Sequence, residues 1–173
     1  MDFTSEGGGN LGGIPSDPAD FADLPTALTR DRIEAALRAE EWAYQIDSDG
    51  DIGGIWESNI FYFFLYGQDR EILQVRGRWH QDLPIDLRSQ VREAIDSWHF
   101  AKIWPKAYTT VDDSGLLWVL AEHTVDWEHG VTDQQLRLTL RCAITTTLSL
   151  FHHLQDRFVQ IKSTPEDPAT PWC

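Results

Sequence analysis

Apolar residues recur along this chain with two periods, and the switches between them lay out its elements. Between Leu28 and Glu41, Ile33, Ala36 and Leu37 fall on one stripe while Arg30, Glu34, Arg38 and Glu41 stay off it, the spacing of a short amphipathic helix. Thr29 stands where an N-cap belongs, Asp31 suits the first turn, and Leu28 and Ile33 have the spacing of a hydrophobic staple. The period then drops to two. Trp42 to Asp47 and Ile52 to Trp56 read as strands joined at Asp49-Gly50, a strong hairpin signal. Ser58-Asn59 turns the chain into Ile60-Phe61-Tyr62-Phe63-Phe64-Leu65-Tyr66, seven apolar or aromatic residues in a row.

In a strand, Phe61, Phe63 and Leu65 point one way and Ile60, Tyr62, Phe64 and Tyr66 the other. Neither set is polar, the pattern of a central strand with both faces covered. The three predicted helices are too few for that, so a second subunit or a bound guest is expected to complete the cover.

Gly67-Gln68-Asp69 turns the chain into Ile72 to Trp79, with Leu73, Val75 and Trp79 on one face and Gln74, Arg76 and Arg78 on the other. Pro84 to Phe100 reads as a second helix, capped at Asp86, with Leu87, Val91, Ala94, Ile95 and Trp98 at helical spacing. Trp104-Pro105 breaks the chain. Ala107 to Val111 and Leu116 to Thr124 then form a hairpin around Asp112-Asp113-Ser114-Gly115. The longest helix starts at Thr132 or Asp133 and runs to about Phe158; Leu136, Leu140, Ile144, Leu148 and Phe151 mark its inner arc, widened by Leu138, Cys142, Leu150 and Leu154. Its Thr145-Thr146-Thr147 run has poor helix propensity, so tertiary packing must hold it.

The order is α-β-β-β-β-α-β-β-α. Short turns force mostly antiparallel pairing, giving an α+β fold: an antiparallel sheet of five or six strands with helices chiefly on one face. Residues 1–26, rich in Gly with Pro15, Pro18 and Pro25, read as a flexible arm; 27–160 as one domain; 161–173, with Pro165, Pro168 and Pro171, as a flexible tail.

Charge narrows the partners. A net charge of −14, with Lys102, Lys106 and Lys162 the only lysines, argues against nucleic acid and anionic membranes, whose binding draws on cationic side chains. No segment reaches the length of a membrane span, and the acidic, glycine-rich start lacks the pattern of a signal peptide. Cys142 in a helical pattern and Cys173 at the last position suit a reducing compartment, so the cytoplasm is the expected location.

Candidate chemistry is sparse. Asp47-Ser48-Asp49-Gly50-Asp51 has the alternating carboxylates of a calcium loop, but counted from Asp47 the sixth residue is Ile52 rather than Gly and the twelfth Ser58 rather than Glu; a hairpin turn is the expectation. His123 and His129 flank Asp126 and Glu128 without ligand spacing, and His152 and His153 diverge on a helix. Cys142 reads as a core residue rather than a nucleophile. Arg76 and Arg78 have the chemistry to clamp a carboxylate, against a plainer reading as a solvated strand edge. Trp118 and Trp127 are candidates for a half-wet rim. No catalytic residue, metal ligand or cofactor site is assigned.

Leu28 to Phe158 resembles the YbjN-domain family of bacterial proteins. The similar features are the first amphipathic helix, the Asp-rich hairpin over Ile46 to Ile52, and a helix ending in Trp98 and Phe100. Pro105-Lys106-Ala107-Tyr108, the Gly115 hairpin with Val119 and Glu122, and Gly130 before Gln134-Gln135-Leu136 complete the resemblance. It implies a regulator of bacterial sensory transduction with a fold like the type III secretion chaperones, small acidic dimers that hold a partner's unfolded segment against their sheet. It implies no catalytic residue.

The expectation is therefore a non-enzymatic, homodimeric, chaperone-like adaptor or regulator in bacterial signalling or stress response. It holds an apolar segment on the sheet face (Ile60, Tyr62, Phe64, Tyr66, with Arg76 and Arg78) or on the second helix (Leu87, Val91, Trp98). The alternative is a small-ligand binder or enzyme with an aromatic pocket between sheet and long helix, using Arg76, Arg78, Glu122 or His123.

Overall fold

The structure is a computed structural model that describes residues 23–158; residues 1–22 of the expected arm and all of the expected tail lie outside them. Helix α1 (Arg30–Ala39) forms on the foreseen stripe, burying Ile33, Ala36 and Leu37. Its cap is Thr29, whose hydroxyl oxygen accepts from the Arg32 amide at 3.3 Å.

Strands β1 (Gln45–Ile46), β2 (Ile52–Trp56), β3 (Asn59–Tyr66) and β4 (Ile72–Arg78) follow as an antiparallel meander. The Asp-rich stretch between β1 and β2 is a hairpin turn: Gly50 takes φ +88°, and the Asp47 carboxylate accepts from the Asp49 and Asp51 amides.

The second helical region differs at its start. Leu83–Pro84 forms a short strand, β5, and Ile85–Leu87 a 3₁₀ turn before α2 (Arg88–Ala101) begins. Asp86 lies inside that turn and caps nothing. Strands β6 (Lys106–Val111) and β7 (Leu116–Asp126) close the sheet, and α3 (Asp133–Phe158) ends the described chain.

Among the described residues the sheet thus has seven strands in the order β1-β2-β3-β4-β7, with β5 continuing the β4 side of β7 and β6 on its far side. Every pairing is antiparallel. The α+β expectation holds, with β5 as the addition.

All three helices lie on one side. There α3 crosses β4 and β7, α2 lies against β6, and α1 packs on α3. The seat of α3 is set by Gly77 on β4: a Cβ there would stand 2.7 Å from Thr147 Cγ2 and 3.0 Å from the Phe61 ring. This close approach buries Thr147, and Thr146 donates its hydroxyl to the Cys142 carbonyl at 2.7 Å, so a poor helix run is held by packing and local hydrogen bonds. Leu138, expected on the inner arc, is 66% exposed; Cys142 and Leu148 are half-buried, and Ala143 and Thr147 take the inner positions instead.

Asp23 and Thr26, in the expected arm, contact the rest of the fold. Thr26 bridges Val131, and the Asp23 carboxylate accepts from the Asp133 amide at 2.7 Å at the head of α3. Arg32 donates to the Thr26 and Val131 carbonyls and pairs with Asp133 at 2.6 Å. Asp23 to Thr26 therefore belong to the folded unit.

Because no side chain has room at the helix–sheet crossing, Gly77→Ala is expected to destabilise the protein by about 1–3 kcal/mol, read as a lower urea midpoint at unchanged slope. An unchanged midpoint would contradict the seat assigned to α3.

Candidate functional site

Strand β3 sends alternate side chains to opposite fates. Phe61 and Phe63 are sealed under the helices, at 0% and 2% exposure, whereas Ile60 and Tyr66 stand 38% and 44% exposed, with Tyr62 and Phe64 half-buried. Among the described residues no element packs over this second face. The expectation that both faces are covered is half met: the chain's own helices seal one.

Residues paired across an antiparallel ladder share a face, so the register assembles the open side. One row runs Tyr62–Arg76–Glu122–Lys106, the next Ile60–Arg78–Leu120–Tyr108. Along β3 the rings form a ladder: Tyr62 and Phe64 stack at 5.5 Å and 13°, and Phe64 meets Tyr66 at 5.9 Å. At the β2 edge the Tyr62 ring lies over Gly53, 3.2 Å from where a Cβ would stand, and Ile55 is 68% exposed. A groove of about 350 Å³ runs there between Tyr44, Ile55, Ile60 and Tyr62.

The charges on this face satisfy one another. Glu122, 7% exposed, accepts from Arg76 Nε at 2.9 Å and from the Tyr108 hydroxyl, with Lys106 Nζ 3.7 Å from its other oxygen. Burial, then the hydrogen bond to the Glu122 carboxylate, push the Tyr108 phenol up to about 12. Arg76 lies 5.1 Å over the Phe64 ring, and Arg78 lies 4.0 Å over Trp118 while it pairs with Asp82.

Neither arginine is the solvated strand edge or the free clamp weighed from sequence: β4 is central, and each guanidinium already holds a carboxylate of its own chain. Trp118 does stand half-wet on this face.

The sequence-predicted residues separate into groups. Ile60, Tyr62, Phe64, Tyr66, Arg76 and Arg78 come together on the open face. Val91 and Trp98 do not join them: at 0% and 8% exposure they belong to the core, and Leu87 is half-buried against it. Their apolar stripe packs α2 onto the sheet, so the second helix offers no binding surface through them.

His123 points the opposite way from its neighbour Glu122. It is 4% exposed under the helices, its ring 4.8 Å from that of Trp104, and its Nδ1 has no hydrogen-bond partner. The sheet itself therefore separates His123 from Arg76, Arg78 and Glu122. The space between sheet and α3 is filled by Phe61, Phe151, Leu140 and Ile144. The pocket envisaged there is absent among the described residues.

His129 is 92% exposed and pairs with Glu128. Among the described residues no three His, Cys, Asp or Glu gather as metal ligands, and no helix is long and apolar enough to cross a membrane.

The sequence does not reveal Ile55, Leu120 and Tyr108 on this face, nor the exposed Phe100 (96%) in the last turn of α2 and Ile103 (86%) between α2 and β6. The alternation of the Leu116 strand carried the signal for Leu120, but its meaning depends on which strand β7 joins.

Burial holds the His123 imidazole below its ordinary 6.5. The unfolded chain then binds the extra proton first, so stability is expected to fall as pH drops through 6.5 toward the folded value. In His123→Phe that part of the pH dependence should disappear from urea midpoints; an unchanged slope would contradict the buried neutral imidazole.

Comparison with known proteins agrees with this architecture. The family described as "YbjN: Putative bacterial sensory transduction regulator" matches residues 29–156. The crystal structure of YbjN from E. coli, described as a putative transcription regulator, superposes with a TM-score of 0.67 at 9% identity, covering 78% of this chain and 96% of that one. At that identity the likeness concerns the fold. No curated protein matches the chain. With the family pattern spanning α1 to the last turns of α3, this chain belongs to the YbjN family.

Proposed function

We propose that the chain is a non-enzymatic, dimeric, chaperone-like adaptor or regulator in bacterial signalling or stress response. It holds an apolar segment of a partner protein on the open face of its sheet. The observation that carries this reading is the stacked row Tyr62, Phe64 and Tyr66, with Ile55 and Ile60 beside it, left uncovered opposite the helices. Contiguous apolar surface of this kind marks interaction sites in soluble proteins.

Fully burying one such side chain contributes roughly 1.5–3 kcal/mol. These rings are already partly covered, so a guest gains a fraction of that at each. After the cost of association the expected affinity is on the order of micromolar. The polar groups of the face support binding rather than catalysis, since Arg76, Glu122, Tyr108 and Lys106 are engaged with one another.

Self-association is the second part of the proposal. Its support is the exposed pair Phe100 and Ile103 with half-exposed Trp104, next to β6, whose outer edge is unpaired among the described residues. A cytoplasmic setting fits the free thiol of Cys142.

The isolated protein should bind an apolar dye, and Phe64→Ser should abolish most of the signal while lowering stability by only about 1 kcal/mol, because the ring is half-exposed. Light scattering should give a dimer. A strict monomer that binds no dye would overturn the proposal.

A further inference from the structure

We propose that the segment held on this face is basic at one end, seated so that its Lys or Arg side chains meet an acidic rim. This rests on the docking reading above and deepens it by naming the partner's chemistry.

The meander brings three loops to one end of the sheet. Ile46 pairs with Ile52 beside the first turn, Tyr66 with Ile72 beside the second, and Ile72 with Asp126 at the end of β7. These connections carry Asp47, Asp49, Asp51, Asp69, Glu71 and Asp126. Among the described residues none of the six is in an ion pair. The nearby cations are Arg70 in the second turn and Arg30, which lies beside Gly50 and pairs with Glu34. Tyr66 and Ile72, the last apolar residues of the open face, border this rim.

The face itself is different: Arg76, Arg78 and Lys106 stand against Glu122 and Asp82, already paired. An incoming chain therefore meets an apolar centre whose ions already pair among themselves, with six unpaired carboxylates at this end of the strands against Asp112 and Asp113 in the β6–β7 turn at the other. Apolar side chains at alternate positions fit the ring ladder, and cations at one terminus fit the rim. A second copy of this chain is the wrong occupant, since it brings its own net charge of −14 within reach of the same rim.

The test uses the full chain and three fluorescent peptides sharing one alternating apolar core, ending in Lys-Lys-Lys, Ser-Ser-Ser or Glu-Glu-Glu. Anisotropy titrations should give the Lys peptide at least about tenfold tighter binding than the Glu peptide, the ratio shrinking with salt. Asp49→Asn, Asp51→Asn and Asp69→Asn combined should also shrink it; these carboxylates accept no hydrogen bond in the turns, whereas Asp47, left intact, does. Tyr66→Ser, with an unchanged melting curve as its control, should weaken all three peptides.

Equal binding of the Lys and Glu peptides that is still lost in Tyr66→Ser would overturn the charge assignment and leave the docking reading standing. A Lys preference that survives Tyr66→Ser undiminished would reduce it to unspecific attraction and overturn it too. If no peptide binds, both readings fall.

Discussion

Among the described residues three helices stand on one side of a seven-stranded sheet, and nearly every other property of the folded unit follows from that asymmetry. A strand distributes its side chains evenly between two faces. A sheet roofed once therefore buries half of what its strands carry and shows the other half to solvent. Most antiparallel sheets meet this by making the outer half polar. Here β4 partly does so, with Gln74, Arg76 and Arg78, while β3 does not. Its outward residues are as apolar as its inward ones, and the inward ones are already at the core.

The roof is fixed in place at the crossing of α3 over β4. Gly77 leaves room for Thr147 and Phe151 to descend onto Phe61, so the long helix sits deep over β4 and β7 and reaches the inward ring of Phe61 on β3. On the other side the arginines of β4 lie across aromatic rings and are held by Glu122 and Asp82. That arrangement keeps the cations of the face from being free binding groups and leaves the rings as its main chemical character. Among the described residues, six carboxylates without an ion pair sit instead in the loops at one end of the strands.

Much of this was legible before any coordinates. The helical stripes of α1 and α3, the hairpins at Gly50 and Gly115 and the double-sided aromatic strand all come from local spacing, and local spacing is what a sequence displays. Four things were not. The apolar stripe of α2 is visible as a stripe, yet whether Val91 and Trp98 face a core or a partner depends on where the helix docks. The Arg76–Glu122 pair joins residues 46 positions apart, and only the β4–β7 register brings them together. His123 and Glu122 are expected from sequence in one pocket, although successive strand residues point to opposite faces and the sheet divides them. The strand at Leu83–Pro84 escaped because two residues, one a proline, carry no periodicity.

A docking role for the sheet requires that the outward ring ladder be open to solvent in the isolated protein. The direct measurement is relaxation of aromatic ring protons by a soluble paramagnetic agent, on the full chain, comparing Phe64 and Tyr66 with Phe61 and Phe63 on the same strand. Strong enhancement is expected at Phe64 and Tyr66 and almost none at Phe61 and Phe63. Equal protection of all four rings would mean that the face is already covered, and would contradict the docking role.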